Sequence, residues 1–150
     1  MSWKRNRMSI TTLIGLSLLQ PIVACADDSM IQPETTMKIV FEFDDIQLPA
    51  TLNNSAAARD FAALLPLTLT LDDYASTEKI SDLPGKLSTT GSPSGTSAKA
   101  GDITYYAPWG NLAIFYKPFR HSEGLIKLGN FDNGAEGLEF KGKKVVKIHR

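Results

Sequence analysis

The sequence predicts a mainly β domain, a small closed β-barrel with one short helix near the N-terminal part of the domain. Three observations carry this. Leu67-Thr68-Leu69-Thr70-Leu71 alternates strictly, and Met37-Lys38-Ile39-Val40-Phe41-Glu42-Phe43 alternates in part, as half-buried strands do. The Ala-rich run from Ala56 to Leu65 is the one stretch with helical spacing. Short apolar runs separated by Gly, Pro, Asn and Asp then continue to the C-terminus, giving roughly eight strands in all. One early helix among so many strands reads as a closed or nearly closed barrel with the helix plugging an end. Closure also protects strand edges from pairing with other chains.

The first two strands, Met37–Phe43 and Ile46–Leu52, flank Asp44-Asp45 and make a hairpin, with Pro49 suited to an edge or bulge. Asn53-Asn54-Ser55 supplies N-cap chemistry. In the helix, Ala57, Phe61, Leu64 and Leu65 share a face, and Pro66 ends it. Leu67–Leu71 is a strand closed by Asp72-Asp73-Tyr74, and residues 75–83 read as irregular. Residues 84–101 are dense in Gly, Ser, Thr and Pro, a long loop that is either functional or mobile. Asp102–Tyr106 is a strand and Ala107-Pro108-Trp109-Gly110 a turn. Asn111–Tyr116 is a strand whose apolar run predicts burial on both faces. Residues 117–124 read as a loop and Leu125–Leu128 as a short strand. Asp132-Asn133-Gly134 is a turn signal. Leu138–Phe140 and Val145–Ile148 are the final strands, joined across Gly142.

The N-terminus reads as an address. Lys4, Arg5 and Arg7 precede a short apolar core, Ile10 to Leu19, which is brief for a span of about 20 residues. Ile22-Val23-Ala24-Cys25 follows and resembles the bacterial lipobox. That resemblance implies cleavage before Cys25 and lipidation of its sulfur, which anchors the chain firmly because each buried CH₂ contributes about 0.8 kcal/mol. The expected organisation is a signal peptide over 1–24, a polar tether over 25–36 and a folded domain over 37–150. Ala26, not Asp, follows the cysteine. By resemblance to Gram-negative sorting rules, this points to the outer membrane, facing the periplasm.

Charge and composition exclude several functions. The chain carries 16 basic and 16 acidic side chains; loss of Lys4, Arg5 and Arg7 leaves 13 against 16. No Lys/Arg cluster remains, so no nucleic-acid partner is expected. The single cysteine excludes an intramolecular disulfide. With only His121 and His149 beside it, no metal is expected, and no cofactor either, because no phosphate-binding glycine loop or nucleophile motif is present. Asp44-Asp45 and Asp72-Asp73 read as turn residues bonding nearby amides.

The order strand, strand, Ala-rich helix ending in Leu-Leu-Pro-Leu, then Gly-Asp-Ile-Thr-Tyr-Tyr-Ala-Pro-Trp-Gly-Asn-Leu-Ala-Ile-Phe-Tyr-Lys at 101–117, then Leu-Gly-Asn-Phe, resembles the bacterial cyclophilin-like fold proteins. The resemblance implies a compact cyclophilin-like barrel and no particular activity. Cyclophilins that isomerise proline carry a Phe-x-Arg followed by a Gln on an adjacent strand. Here Phe119-Arg120 is the nearest match, in the expected loop, with no such Gln. The expectation is therefore a binding module without catalysis; the alternative is a divergent peptidyl-prolyl isomerase.

The candidate site is the aromatic cluster Tyr105, Tyr106, Trp109, Phe115, Tyr116 and Phe119, beside Lys117, Arg120 and His121. Adjacent strand residues face opposite sides, so about half of the cluster can line one surface. The residues chosen are Tyr106, Trp109, Phe115, Lys117, Arg120 and His121, an apolar groove with a basic rim for a peptide or small anionic molecule. The competing reading is that these rings fill the barrel core and the charges are solvated. A third function, contact with envelope proteins through the loop at 84–101, stays open at this point, as does the oligomeric state.

Overall fold

The computed structural model describes residues 35–150. The signal segment, Cys25 and most of the tether lie outside the described residues. Strands β1 (Met37–Phe43) and β2 (Ile46–Leu52) form the expected hairpin, with Asp44 in the left-handed region at φ 52°. Helix α1 (Ala56–Ala63) follows. The Ser55 hydroxyl caps it, accepting from the Ala58 amide at 3.1 Å. The remaining strands are β3 (Leu67–Tyr74), β4 (Glu78–Asp82), β5 (Gly95–Ala98), β6 (Asp102–Tyr106), β7 (Asn111–Phe115), β8 (Phe119–Glu123), β9 (Leu125–Phe131) and β10 (Lys144–His149).

Eight strands close an antiparallel barrel in the order β1-β10-β3-β4-β7-β6-β9-β2, and β2 returns to β1. The predicted fold class holds. The interior is filled by residues that alternate inward, among them Phe41, Leu71, Ile103, Tyr105, Leu112, Ile114, Leu128 and Ile148. The helix contributes Ala57, Ala58, Phe61 and Ala62 to the same core. The expected stripe of Ala57, Phe61, Leu64 and Leu65 is thus half corrected. The helix stops at Ala63, so Leu64 and Leu65 only flank the core, and the small Ala58 and Ala62 turn inward instead.

Strands β5 and β8 pair with each other as a separate two-stranded ribbon. A second apolar cluster, Ala98, Ala113, Phe115 and Leu125, joins this ribbon to β7 and β9. It explains the unbroken apolar run on β7. Leu112 and Ile114 enter the barrel, while Ala113 and Phe115 face the opposite side under the ribbon.

Four expectations are corrected. Residues 75–83 contain strand β4; its pattern Glu-Lys-Ile-Ser-Asp hides the alternation because the inward residue is a lysine. Residues 117–124 contain β8, which pairs only with β5 and therefore has polar, exposed side chains. The long loop at 84–101 ends in β5. Leu138–Phe140 is not a strand, although Leu138 is fully buried. Gly137 and Gly142 have φ of 85° and 73° on either side of it, and the Phe140 carbonyl accepts from the Lys79 ammonium rather than from a neighbouring strand.

Candidate functional site: an aromatic cleft between barrel and ribbon

A cleft of about 220 Å³ opens between the ribbon and the strands it covers. Register decides which side chains reach it. On β4, Glu78 stands opposite Tyr74 of β3 and Phe115 of β7. On β6, Tyr106 stands opposite Asn111 of β7 and Leu125 of β9. All six line the cleft, with Ala113 between Asn111 and Phe115. The turn after β6 brings Trp109, and β8 brings Phe119 and Ser122. That turn is held by the Gly110 amide, which donates to the Tyr106 carbonyl at 2.8 Å.

Two glycines let the ribbon sit this close. A Cβ on Gly95 would collide with the Ser122 carbonyl oxygen, so only glycine allows β5 and β8 to meet there. Gly124 joins β8 to β9 at φ 78°, and a Cβ there would lie 2.6 Å from Pro108.

The rings are arranged as a partial cage. Trp109 meets Tyr74 at 5.7 Å and Tyr106 at 5.3 Å, both at 84°. Phe119 stacks on Phe115 at 5.4 Å. Trp109 is 58% exposed, Tyr74 43% and Phe119 37%; of the five exposed large apolar side chains among the described residues, these three gather at one cleft. Such clustering marks a surface built to meet something.

Two polar groups in the cleft lack a protein partner. Glu78 makes no side-chain hydrogen bond or ion pair among the described residues, and burial pushes its carboxyl up to about 7. Asn111 is 3% exposed. Its Nδ2 donates to the Leu112 carbonyl at 3.1 Å, but its Oδ1 has no partner. A raised carboxyl and an orphaned amide oxygen in one cleft single it out as the candidate site, since structural polar groups are normally paired.

A family pattern matches most of this architecture: the description "Cyclophilin-like family" covers residues 41–149. The chain belongs to the cyclophilin-like family. A hypothetical protein from Archaeoglobus fulgidus, known from its solution structure, has a similar fold. The TM-score is 0.58 at 18% identity, over 81% of this chain and 99% of that one. No curated protein matches the chain.

In this cyclophilin-like protein, Tyr106, Trp109 and Phe115 of the sequence-predicted site come together in the cleft. Lys117, Arg120 and His121 do not line it. Lys117 borders a separate depression with Asp73, Tyr116 and Phe140, its ammonium 5.7 Å from the Tyr116 ring centre. Arg120 lies on β8 with its guanidinium 6.0 Å from the Phe119 ring centre. The His121 Nε2 is 3.1 Å from the Glu123 carboxylate. Tyr105 belongs to the barrel core, its hydroxyl accepting from the Leu87 amide at 3.3 Å, and Tyr116 packs against that core. Sequence reasoning missed Tyr74, Glu78, Asn111 and Ser122. Their meeting depends on pairing between strands far apart in sequence, and no local pattern announces it.

The depression beside Lys117 is a structural contrast. The Asp73 Oδ1 accepts from the Lys79 ammonium at 2.7 Å and from the Tyr116 hydroxyl at 2.7 Å. Those bonds hold the Asp73 carboxyl below its usual value; burial, aided by Asp73, pushes the Tyr116 phenol up to about 12. The Asp73 carboxylate there is paired on one oxygen by two donors of its own chain.

Proposed function

We propose that this chain is a lipid-anchored binding module of the bacterial envelope, whose cyclophilin-like barrel takes a peptide side chain or small molecule in the cleft between barrel and ribbon. The observation that carries the binding role is the cleft itself, where three exposed aromatic rings surround an unpaired carboxyl and an unpaired amide oxygen. The basic, apolar and Ala24-Cys25 segments support the anchor. In a Gram-negative host the module would face the periplasm from the outer membrane.

The cleft is poorly suited to prolyl isomerisation. That reaction needs a charged donor held against the twisting amide, and no lysine, arginine or histidine lines the cleft. Arg120, the nearest match to an isomerase arginine, does not line it. A coupled assay on a short X-Pro peptide should run at its uncatalysed rate of tens to hundreds of seconds. Acceleration that vanishes in Arg120→Ala would replace the binding module by an enzyme. For the anchor, Cys25→Ser should leave an uncut or soluble chain. Normal cleavage and membrane fractionation of that variant would refute lipidation.

A further inference from the structure

We infer that the cleft selects a primary ammonium group carried on an apolar frame. This rests on the reading of the cleft as a ligand site and names the chemistry it accepts. The expected anionic ligand required basic groups in the cleft, and Lys117, Arg120 and His121 all lie outside its lining, Arg120 reaching only the Phe119 ring at 6.0 Å.

What the cleft offers instead is complementary to a cation. Trp109 stands nearly perpendicular to both Tyr74 and Tyr106, so three aromatic rings meet edge to face where they line the cleft. Aromatic faces attract ammonium groups, and Trp does so best. The chain's own cations sit over Tyr116, Phe119, Phe140 and Phe43, so these three rings carry none among the described residues. A primary ammonium has three donors and no acceptor. The Asn111 Oδ1 is a buried acceptor with no partner, and the half-buried Glu78 carboxyl beside it in the cleft makes no hydrogen bond or ion pair within the described residues. The cavity of about 220 Å³ holds one aromatic or short aliphatic frame and excludes a folded partner.

The charge of Glu78 should control this selection. The titratable groups that share its cleft are Tyr74 of β3 and Tyr106 of β6. From the elements packed around it, Asp73 and Lys79 are bonded to each other, and His121 and Glu123 of β8 pair outside the lining. Arg120 of β8 lies against Phe119. Glu78 is thus the one carboxyl in the cleft. Burial alone lifts it to about 7, and a bound ammonium would draw it back toward the charged form.

The test uses the full chain and four probes: benzylamine, benzyl alcohol, benzoate and acetyl-Ala-Lys-Ala-amide. Binding is read from NMR shifts of the Trp109 indole and the Asn111 side-chain amide. Near pH 8, benzylamine should bind about tenfold more tightly than benzyl alcohol, and benzoate more weakly than either. Near pH 5.5 the preference should shrink to about twofold, with benzyl alcohol unchanged. Glu78→Gln should cut the preference near pH 8 to about twofold, the share the rings supply. If the peptide binds more tightly than benzylamine, the ammonium comes from a lysine side chain; if less tightly, from a free amine. Equal binding of benzylamine and benzyl alcohol, or benzoate binding best, would overturn the ammonium assignment and leave the cleft a ligand site. So would an undiminished preference in Glu78→Gln. Should that variant fail to fold, the probe and pH series on the unaltered chain still decides. If no probe shifts either resonance, both the ammonium assignment and the binding cleft fall.

Discussion

Glu78 and Lys79 are consecutive residues of β4, and their charges meet opposite surroundings. The Lys79 side chain is fully buried, yet its ammonium donates to Asp73 and the Phe140 carbonyl and lies over the Tyr116 and Phe140 rings. Glu78 points to the other side of the strand, into the cleft, and has no polar partner among the described residues. A buried charge is costly unless paired. Lys79 meets that condition with groups of its own chain, so its role is explained by the fold. Glu78 is only half-buried and has no such partner, so its carboxylate is left to water or to a ligand in the cleft. The same contrast holds for the rings: Phe41 and Phe61 are sealed in the barrel, while Trp109 and Tyr74 stay open to solvent.

The contrast can be broken at its strongest point first. Phe61→Ala should cost about 3–5 kcal/mol, because a large side chain leaves a closed core. Trp109→Ala should cost under about 1 kcal/mol, because its ring is half in solvent, while removing ligand binding. Chemical denaturation of both variants checks this; a large loss from Trp109→Ala would make the cleft part of the core. Lys79→Ala should cost about 3 kcal/mol, because a fully buried side chain leaves the core and its bonds to Asp73 and the Phe140 carbonyl are lost. A loss under about 1 kcal/mol would show that the pair is solvated after all. Gly95→Ala should splay β5 from β8 and weaken probe binding while the barrel keeps its circular dichroism, since a Cβ there collides with the Ser122 backbone. Unchanged binding would mean that the ribbon does not shape the cleft.

The smallest effect separates the two charges by pH. The folded-state Glu78 carboxyl is raised, so between its ordinary value of 4.5 and about 7 the folded chain holds more protons than the unfolded chain. Its contribution to stability therefore falls as pH rises through that window. Glu78→Gln should remove this slope and raise stability near pH 8 by about 1 kcal/mol, discounting for partial exposure. Asp73 has the opposite sign. Its depressed carboxyl stabilises the fold above 3.8, and that contribution is lost as pH falls through its folded-state value. Melting temperatures across pH, with and without Glu78→Gln, check both signs.

Much of the barrel was legible because alternation and turn chemistry are local. Ile46–Leu52 and Asp102–Tyr106 were read with their observed bounds, and the unbroken run of β7 announced its two buried faces. The ribbon was not legible. Phe119–Glu123 is exposed along its length, so no burial pattern marks it as a strand. Strand β4 was hidden for the converse reason, since a paired lysine occupies an inward position. The aromatic half of the site followed from counting rings and alternating them: Tyr106 and Phe115 reach the cleft, while Tyr105 and Tyr116 do not. Its polar half did not follow. Glu78 and Asn111 lie on paired strands 33 residues apart in sequence, and their meeting is a property of barrel register. The basic rim was an inference from nearness in sequence, which β8 undoes by carrying Arg120 and His121 outside the lining.

An NMR titration of the Glu78 side-chain carboxyl carbon in the full chain reads whether that group is held unpaired in the cleft. A midpoint near 7, shifting downward when benzylamine is added, is the predicted result. A midpoint near the ordinary 4.5, unmoved by benzylamine, would show a solvated or paired carboxylate and would contradict the account.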